Sequence, residues 1–137
     1  MGTSAVTKIG GSGGGGSKIT VNQANTFVAG EVLRYDATTT EYAKAIASTS
    51  EFAEAIGIVE TASNTNFVLV LGGKIDTSSF AVANEDGTTE TKTGDVYFLS
   101  PSVAGKLTQT APTTTGTIRK AMLTQTTADG IGYVTNY

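Results

Sequence analysis

Along the chain, apolar and polar positions alternate in short runs instead of recurring every three or four residues. "KITVNQ" (residues 18–23) puts Ile19 and Val21 on one side of an extended backbone. "TFVAGEVLRYD" (26–36) sets Val32 and Arg34 on one face against Leu33 and Tyr35 on the other. "NFVLVLGGKID" (66–76) carries a continuous apolar run up to Gly72 and Gly73, the mark of a buried strand followed by a turn or bulge. Residues 42–47, in which Ala43, Ala45 and Ala47 alternate with Lys44 and Ile46, predict another strand. "GDVYFLS", "GKLTQT", "IRKAMLTQ" and "GIGYVTNY" predict four more, separated by "NEDGTT", "PSVAG", "APTTTG" and "TADG". Turn signals spaced by roughly 8–12 residues predict an all-β domain, a small sandwich or barrel of short antiparallel strands.

One segment carries a different period. In "STSEFAEAIG" (48–57), Ser48 and Glu51 stand at capping-box spacing, Phe52 and Ile56 are four apart, and Gly57 is placed to terminate a helix. One short helix is predicted there, lying over the sheet. The chain also repeats itself. "GEVLRYDA" at Gly30 matches "GDVYFLSP" at Gly94, and "NFVLVL" at Asn66 matches "GIGYVT" at Gly130, at a common offset of about 64 residues. This predicts two related β-units in tandem.

Composition narrows the function. Only 15% of the residues are charged against 39% hydrophobic, which is a folding composition, and the net charge of −3 comes with no basic block. A nucleic-acid partner is therefore not expected. The absence of His and Cys from the sequence removes the commonest general base, the commonest metal ligand and any disulfide or thiolate chemistry. "MGTSAVTKIGG" has no apolar core of a secretory signal, and no stretch approaches the roughly 20 apolar residues that span a bilayer, so no membrane partner is expected.

Residues 1–18 stand apart from the β-rich domain at 19–137. A short alternating piece, Ser4, Ala5, Val6, Thr7, Lys8 and Ile9, precedes a glycine and serine tract that contains Gly13, Gly14, Gly15 and Gly16. A phosphate-binding loop needs Gly-Lys-Ser/Thr, whereas the order here is Gly16-Ser17-Lys18-Ile19. Two readings remain: a flexible spacer of the "GGGGS" type, or an extended arm whose glycines let the backbone lie close against another protein.

The acidic residues offer three pairs to consider: Glu85 with Asp86, Glu51 with Glu54, and Asp36 with Glu41. Glu85-Asp86-Gly87 reads as a hairpin tip, and Glu51 and Glu54 as a cap and a solvated helix face. None comes with a convergent base or electrophile, and "NEDGTTE" (84–90) lacks the spacing of a calcium loop. No catalytic residue, metal or cofactor is expected. The ten Tyr and Phe residues lie mostly in predicted strands and, with no Trp, read as packing.

"TFVAGEVLRYDATTTEYAKAIA", "AEAIGIVE", "GDVYFLSPSVAGKLTQTAP" and "GYVTNY" together resemble the small β-rich virion proteins of tailed bacteriophages, over residues 20–137. The resemblance implies a non-enzymatic structural protein on the capsid exterior, a decoration (cement) or head-fibre protein. It implies a homotrimer whose N-terminal arm meets the major capsid protein or another virion component. On that reading Ser4, Ala5, Val6, Thr7, Lys8 and Ile9 add a strand to a partner's sheet edge, and Gly13 to Gly16 let the link follow its surface. The alternative is a tail-fibre or baseplate adhesin that meets host-surface glycans through the loops at 84–90 or 112–116.

Overall fold

The computed structural model describes residues 17–78, 80, 81, 83–86, 95–125 and 130–135. The expected arm at 1–16 lies outside them. Among the described residues the fold is all-β, with no helix. In chain order the strands are β1 (Ser17–Asn22), β2 (Val32–Asp36), β3 (Glu41–Lys44), β4 (Ala55–Ala62) and β5 (Asn66–Asp76). They continue with β6 (Val96–Leu99), β7 (Leu107–Thr108), β8 (Ala121–Gln125) and β9 (Ile131–Val134). They form one curled sheet in the order β3-β2-β4-β5-β9-β8-β6-β7, with β1 added beside β5, and every strand pair is antiparallel. Ser17 and Lys18, grouped with the arm on composition, open β1.

β5 links the two halves of the sheet. Its first half pairs with β4 (Ile58↔Val70, Val59↔Leu69) and with β1 (Ile19↔Leu69, Val21↔Phe67). Its second half pairs with β9 (Gly73↔Val134 through Asp76↔Ile131). The strand therefore does not end at the glycines. A register shift against β1 opposite Gly72 and a positive φ of 84° at Gly73 bend it, a conformation that costs glycine little.

Two related units recur in the register, with one correction to the sequence match: that match set Val32 on Val96, whereas the register sets Val32 on Tyr97, one residue further on. Val32↔Ile58 in the first unit recurs as Tyr97↔Leu123 in the second, Leu33↔Lys44 as Phe98↔Thr108, and Val59↔Leu69 as Thr124↔Tyr133. The step is 65 residues for β2 and β4 (97 less 32, 123 less 58) and 64 for β3 and β5 (108 less 44, 133 less 69). The sheet order is accordingly a palindrome, with β3, β2, β4 and β5 mirrored by β7, β6, β8 and β9.

Two apolar clusters fill the curl. The larger joins both units and includes Val32, Ile58, Val70, Ile75, Tyr97, Leu99, Met122, Leu123 and Val134, all nearly or fully excluded from solvent. The smaller lies on the opposite face of the first unit, which β1 extends beside β5: Ile19, Val21, Leu33, Val59, Phe67 and Leu69, with Phe27, Tyr42, Ile56 and Leu71 around them. Phe67 sits edge-on to both Phe27 (5.3 Å between ring centres) and Tyr42 (5.7 Å), a geometry that adds about 1 kcal/mol per pair to area burial. Gln23 closes this first unit. Its Nε2 donates to Tyr42 O at 3.0 Å, and its Oε1 accepts from Tyr42 N at 2.8 Å, so a side-chain amide supplies what a neighbouring strand would.

The predicted helix at 48–57 is not formed. Residues 47–53 make a turn, in which Ala53 N donates to Thr49 O at 3.0 Å and Phe52 N to Thr49 Oγ1 at 3.3 Å, so Thr49 and not Ser48 supplies the cap. From Ala55 the chain is strand β4, because Ala55, Ile58 and Val59 are wanted by the two cores and one helical turn alone does not offset its nucleation cost. Gly57, read as a helix stop, lies where β4 meets β5: a Cβ there would come 2.2 Å from Val70 O.

Two other strands are shorter than expected. The segment at 26–31 turns before β2 begins, with Phe27 N held by Asn25 Oδ1 at 2.9 Å and Val28 N by Glu31 Oε1 at 3.0 Å. Beyond Lys44, Ala45 keeps its N–H on Val32 O of β2 while its carbonyl accepts from Gly105 N, and Ala47 pairs with the second unit, its N donating to Ser100 O and its carbonyl accepting from Ile118 N.

Glu31 ties the same seam by charge. It is 2% exposed, and its Oε2 lies 3.1 Å from both Lys44 Nζ of the first unit and Lys106 Nζ of the second. Removing one partner of a buried pair strands the others, so Glu31→Ala is expected to lower unfolding free energy by about 3 kcal/mol in urea titration. Gly57→Ala should cost a similar amount, about 3 kcal/mol, since backbone rather than a flexible side chain meets the new methyl group.

Candidate functional site

The apolar face that β1 extends in the first unit has a counterpart in the second, where the second half of β5 takes the equivalent seat beside β9 and large side chains stay exposed. Val96 on β6 stands directly across from Thr124 on β8, which stands across from Tyr133 on β9, which stands across from Lys74 on β5. These four share one face. Phe98, across from Ala121, and Thr135 continue it, and Arg119 completes a groove of about 490 Å³ lined by Val96, Phe98, Arg119, Ala121, Thr124 and Thr135. Val96 is 41% and Tyr133 43% exposed, high values for large side chains at the middle of a sheet.

Local structure fixes these side chains. Tyr97 and Leu99 alternate with Val96 and Phe98 along β6 and are buried in the shared core, which forces their neighbours outward. A register shift between Tyr97 and Phe98 re-aims the end of that strand. The Arg119 guanidinium carbon lies 5.4 Å from the Phe98 ring centre, a cation–π contact that orients the guanidinium plane. Thr135 N donates to Met122 O at 3.0 Å and its hydroxyl to Ala121 O at 3.4 Å, which holds the end of β9 against β8.

Charge distinguishes this face. Lys18 pairs with Glu60 at 2.7 Å, Arg34 with Asp36 at 3.8 Å, and Lys44 and Lys106 with Glu31. Among the described residues, Lys74, Arg119 and Lys120 have no carboxylate within ion-pair distance; Lys74 and Arg119 belong to the groove's face, on which β5 also places Asp76, two residues beyond Lys74. In a chain of net charge −3, two uncommitted cations thus flank an aromatic and hydroxyl-bearing surface.

The candidates named from sequence fall elsewhere. Ser4, Ala5, Val6, Thr7, Lys8, Ile9, Gly13, Gly14, Gly15 and Gly16 lie outside the described residues. Of the acidic pairs, Asp36 and Glu41 face each other across the β2–β3 hairpin, and Glu51 and Glu54 are exposed in and just after the turn that replaces the helix. Glu85 accepts a short hydrogen bond from the Ser100 hydroxyl and, with Asp86, opens a turn. The loop at 112–116 is a turn closed by Thr117 N donating to Thr114 O at 3.0 Å, and 87–90 lie outside the described residues. Among the described residues, no cluster of acidic side chains suited to a metal ion is present. The groove residues were missed because each is ordinary by type. The repeat was a partial signal: its step of about 64 sets Tyr133 and Thr135 on Leu69 and Leu71, but Thr124 on Glu60, and only the strand register sets Thr124 on Val59.

The chain matches no protein-family model, no curated protein and no solved structure.

At the end of β5 Asp76 accepts from Ser78 Oγ at 2.5 Å and from Ser78 N at 2.9 Å. These bonds to the ionised form hold the Asp76 carboxyl below its usual range, more than offsetting partial burial. A lowered folded-state value means that the contribution to stability is present above the ordinary aspartate range and is lost as pH falls through the folded value. In an NMR pH titration, Ser78→Ala should move the Asp76 midpoint upward, toward that of a free aspartate.

Proposed function

We propose that this protein is a non-enzymatic structural component of a tailed-bacteriophage virion, displayed on the capsid exterior as a decoration or head-fibre protein. Its arm is the anchor, and the assembly is a trimer bound to the major capsid protein or a neighbouring virion component. The observation that carries the reading is the sequence resemblance over residues 20–137, whose strand and turn pattern is similar to that of such proteins. The use made of the acidic side chains supports it. Glu31 and Glu60 are struts between strands, with Glu60 bridging Lys18 and the backbone N of Asp76 at 2.9 Å. Asp36, Asp76 and Asp95 hold a turn or a neighbouring side chain.

A tail-fibre adhesin for host glycans is the second reading. The open aromatic and cationic groove favours it, and not the loops first considered for it.

Because Ser17 and Lys18 are part of β1, the truncation that tests the anchor removes residues 1–16 and no more. In co-sedimentation with empty capsids of the same phage, the full chain is expected in the pellet and the truncated chain in the supernatant. Both forms pelleting would move the anchor into the β-domain, and neither pelleting would remove the capsid reading.

A further inference from the structure

The groove on the second unit is built on the same scaffold as the closed core of the first, and the differences between the two say what it is for. Where the first unit has Val59, Leu69 and Leu71, the second has Thr124, Tyr133 and Thr135, at steps of 65, 64 and 64 residues along the chain (124 less 59, 133 less 69, 135 less 71). Leu33 is replaced by Phe98, which carries Arg119 on its ring. The strand beside β5 in the first unit places Ile19 opposite Leu69, whereas the strand in the equivalent seat beside β9 places Lys74 opposite Tyr133.

The register is preserved while apolar floor positions become hydroxyls and an apolar position on the adjacent strand becomes a cation. A groove meant for an apolar strand, such as residues 4–9 of this chain, would have kept Val, Leu and Ile there. This one is fitted to a ligand that brings its own hydrogen-bonding groups, an apolar ring face for Tyr133 and negative charge for Lys74 and Arg119.

We propose that the groove lined by Val96, Phe98, Arg119, Thr124 and Thr135, with Tyr133 and Lys74 beside it on the same face, binds a carboxylate-bearing saccharide chain. Sugar rings present an apolar face to an exposed aromatic ring and an edge of hydroxyls to threonine side chains, and a uronic or sialic acid adds the carboxylate. The Arg119 guanidinium, oriented by Phe98, is positioned to take that carboxylate with two parallel N–H donors, while Lys74 acts as a point charge at the far side of Tyr133. Affinity is modest and falls with salt, since both cations are in contact with water. The assignment rests on the groove alone and stands or falls independently of capsid attachment.

The test is titration of the full-length protein with an oligogalacturonate and with a sialylated trisaccharide, read by NMR at Tyr133 and Thr124 and by calorimetry. Methyl-esterified oligogalacturonate serves as the uncharged control, and poly-glutamate as the acidic polypeptide control. At least one acidic saccharide should shift both residues. Methyl esterification, or the Arg119→Gln change, should weaken that binding about tenfold while the unfolding midpoint stays in place. Tyr133→Ala should weaken the esterified and free forms alike. No shift with either acidic saccharide, equal binding of the methyl ester, or binding of poly-glutamate as tight as that of the saccharides would overturn the proposal. The last outcome would assign the groove to an acidic polypeptide.

Discussion

One strand has to serve both halves of the sheet, and most of the architecture follows from that requirement. β5 is eleven residues long, pairs on both edges through its first half, and then, bent at Gly72 and Gly73, supplies the neighbour of β9 through its second. A straight strand would have extended one sheet. The bend instead lets the second unit fold back so that Val70 and Ile75, five residues apart on the same strand, contribute to one shared core. It also brings Asp76 N within hydrogen-bonding distance of Glu60, far along β4. The remaining contacts between units are backbone hydrogen bonds at Ala45, Ala47 and Gly105 and the buried Glu31 carboxylate, which fix a geometry that the bend has already set.

Duplication followed by unequal use describes the result. Registers are conserved between the units to within a residue of sequence offset, so pairing geometry has been kept where side-chain identity has not. The first unit spends its curled face on its own stability, filling it with Phe67, Leu69 and the β1 residues. The second keeps the same face free and relies for its stability on the shared core alone. A fold of this kind can tolerate a water-lined groove because Tyr97, Leu99, Met122 and Leu123 bury their bulk on the opposite side.

Much of the fold was legible from period alone. Residues 66–76 read as a strand and are one, and the alternation at 18–23 and in the four C-terminal runs marks β1 and β6 to β9. β4 was not legible, because local signals and tertiary demand disagreed: Ser48, Glu51, Phe52 and Ile56 have helical spacing, while the cores on either side require Ala55, Ile58 and Val59 extended. The groove was hidden for a different reason. Its residues are spread from Lys74 to Thr135, none is rare, and their meaning lies in a comparison between two halves of the chain that have kept little identity.

The Gln23 closure has a consequence beyond packing. An outer strand normally leaves a row of N–H and C=O groups that can recruit another chain, and β3 is such a strand. Here the amide of Gln23 occupies Tyr42 N and O, the pair of groups through which an added strand would begin its ladder. A single side chain thus acts as a guard against edge-to-edge aggregation. It would keep copies crowded together at high local concentration from joining through their sheets, whatever surfaces they use to assemble.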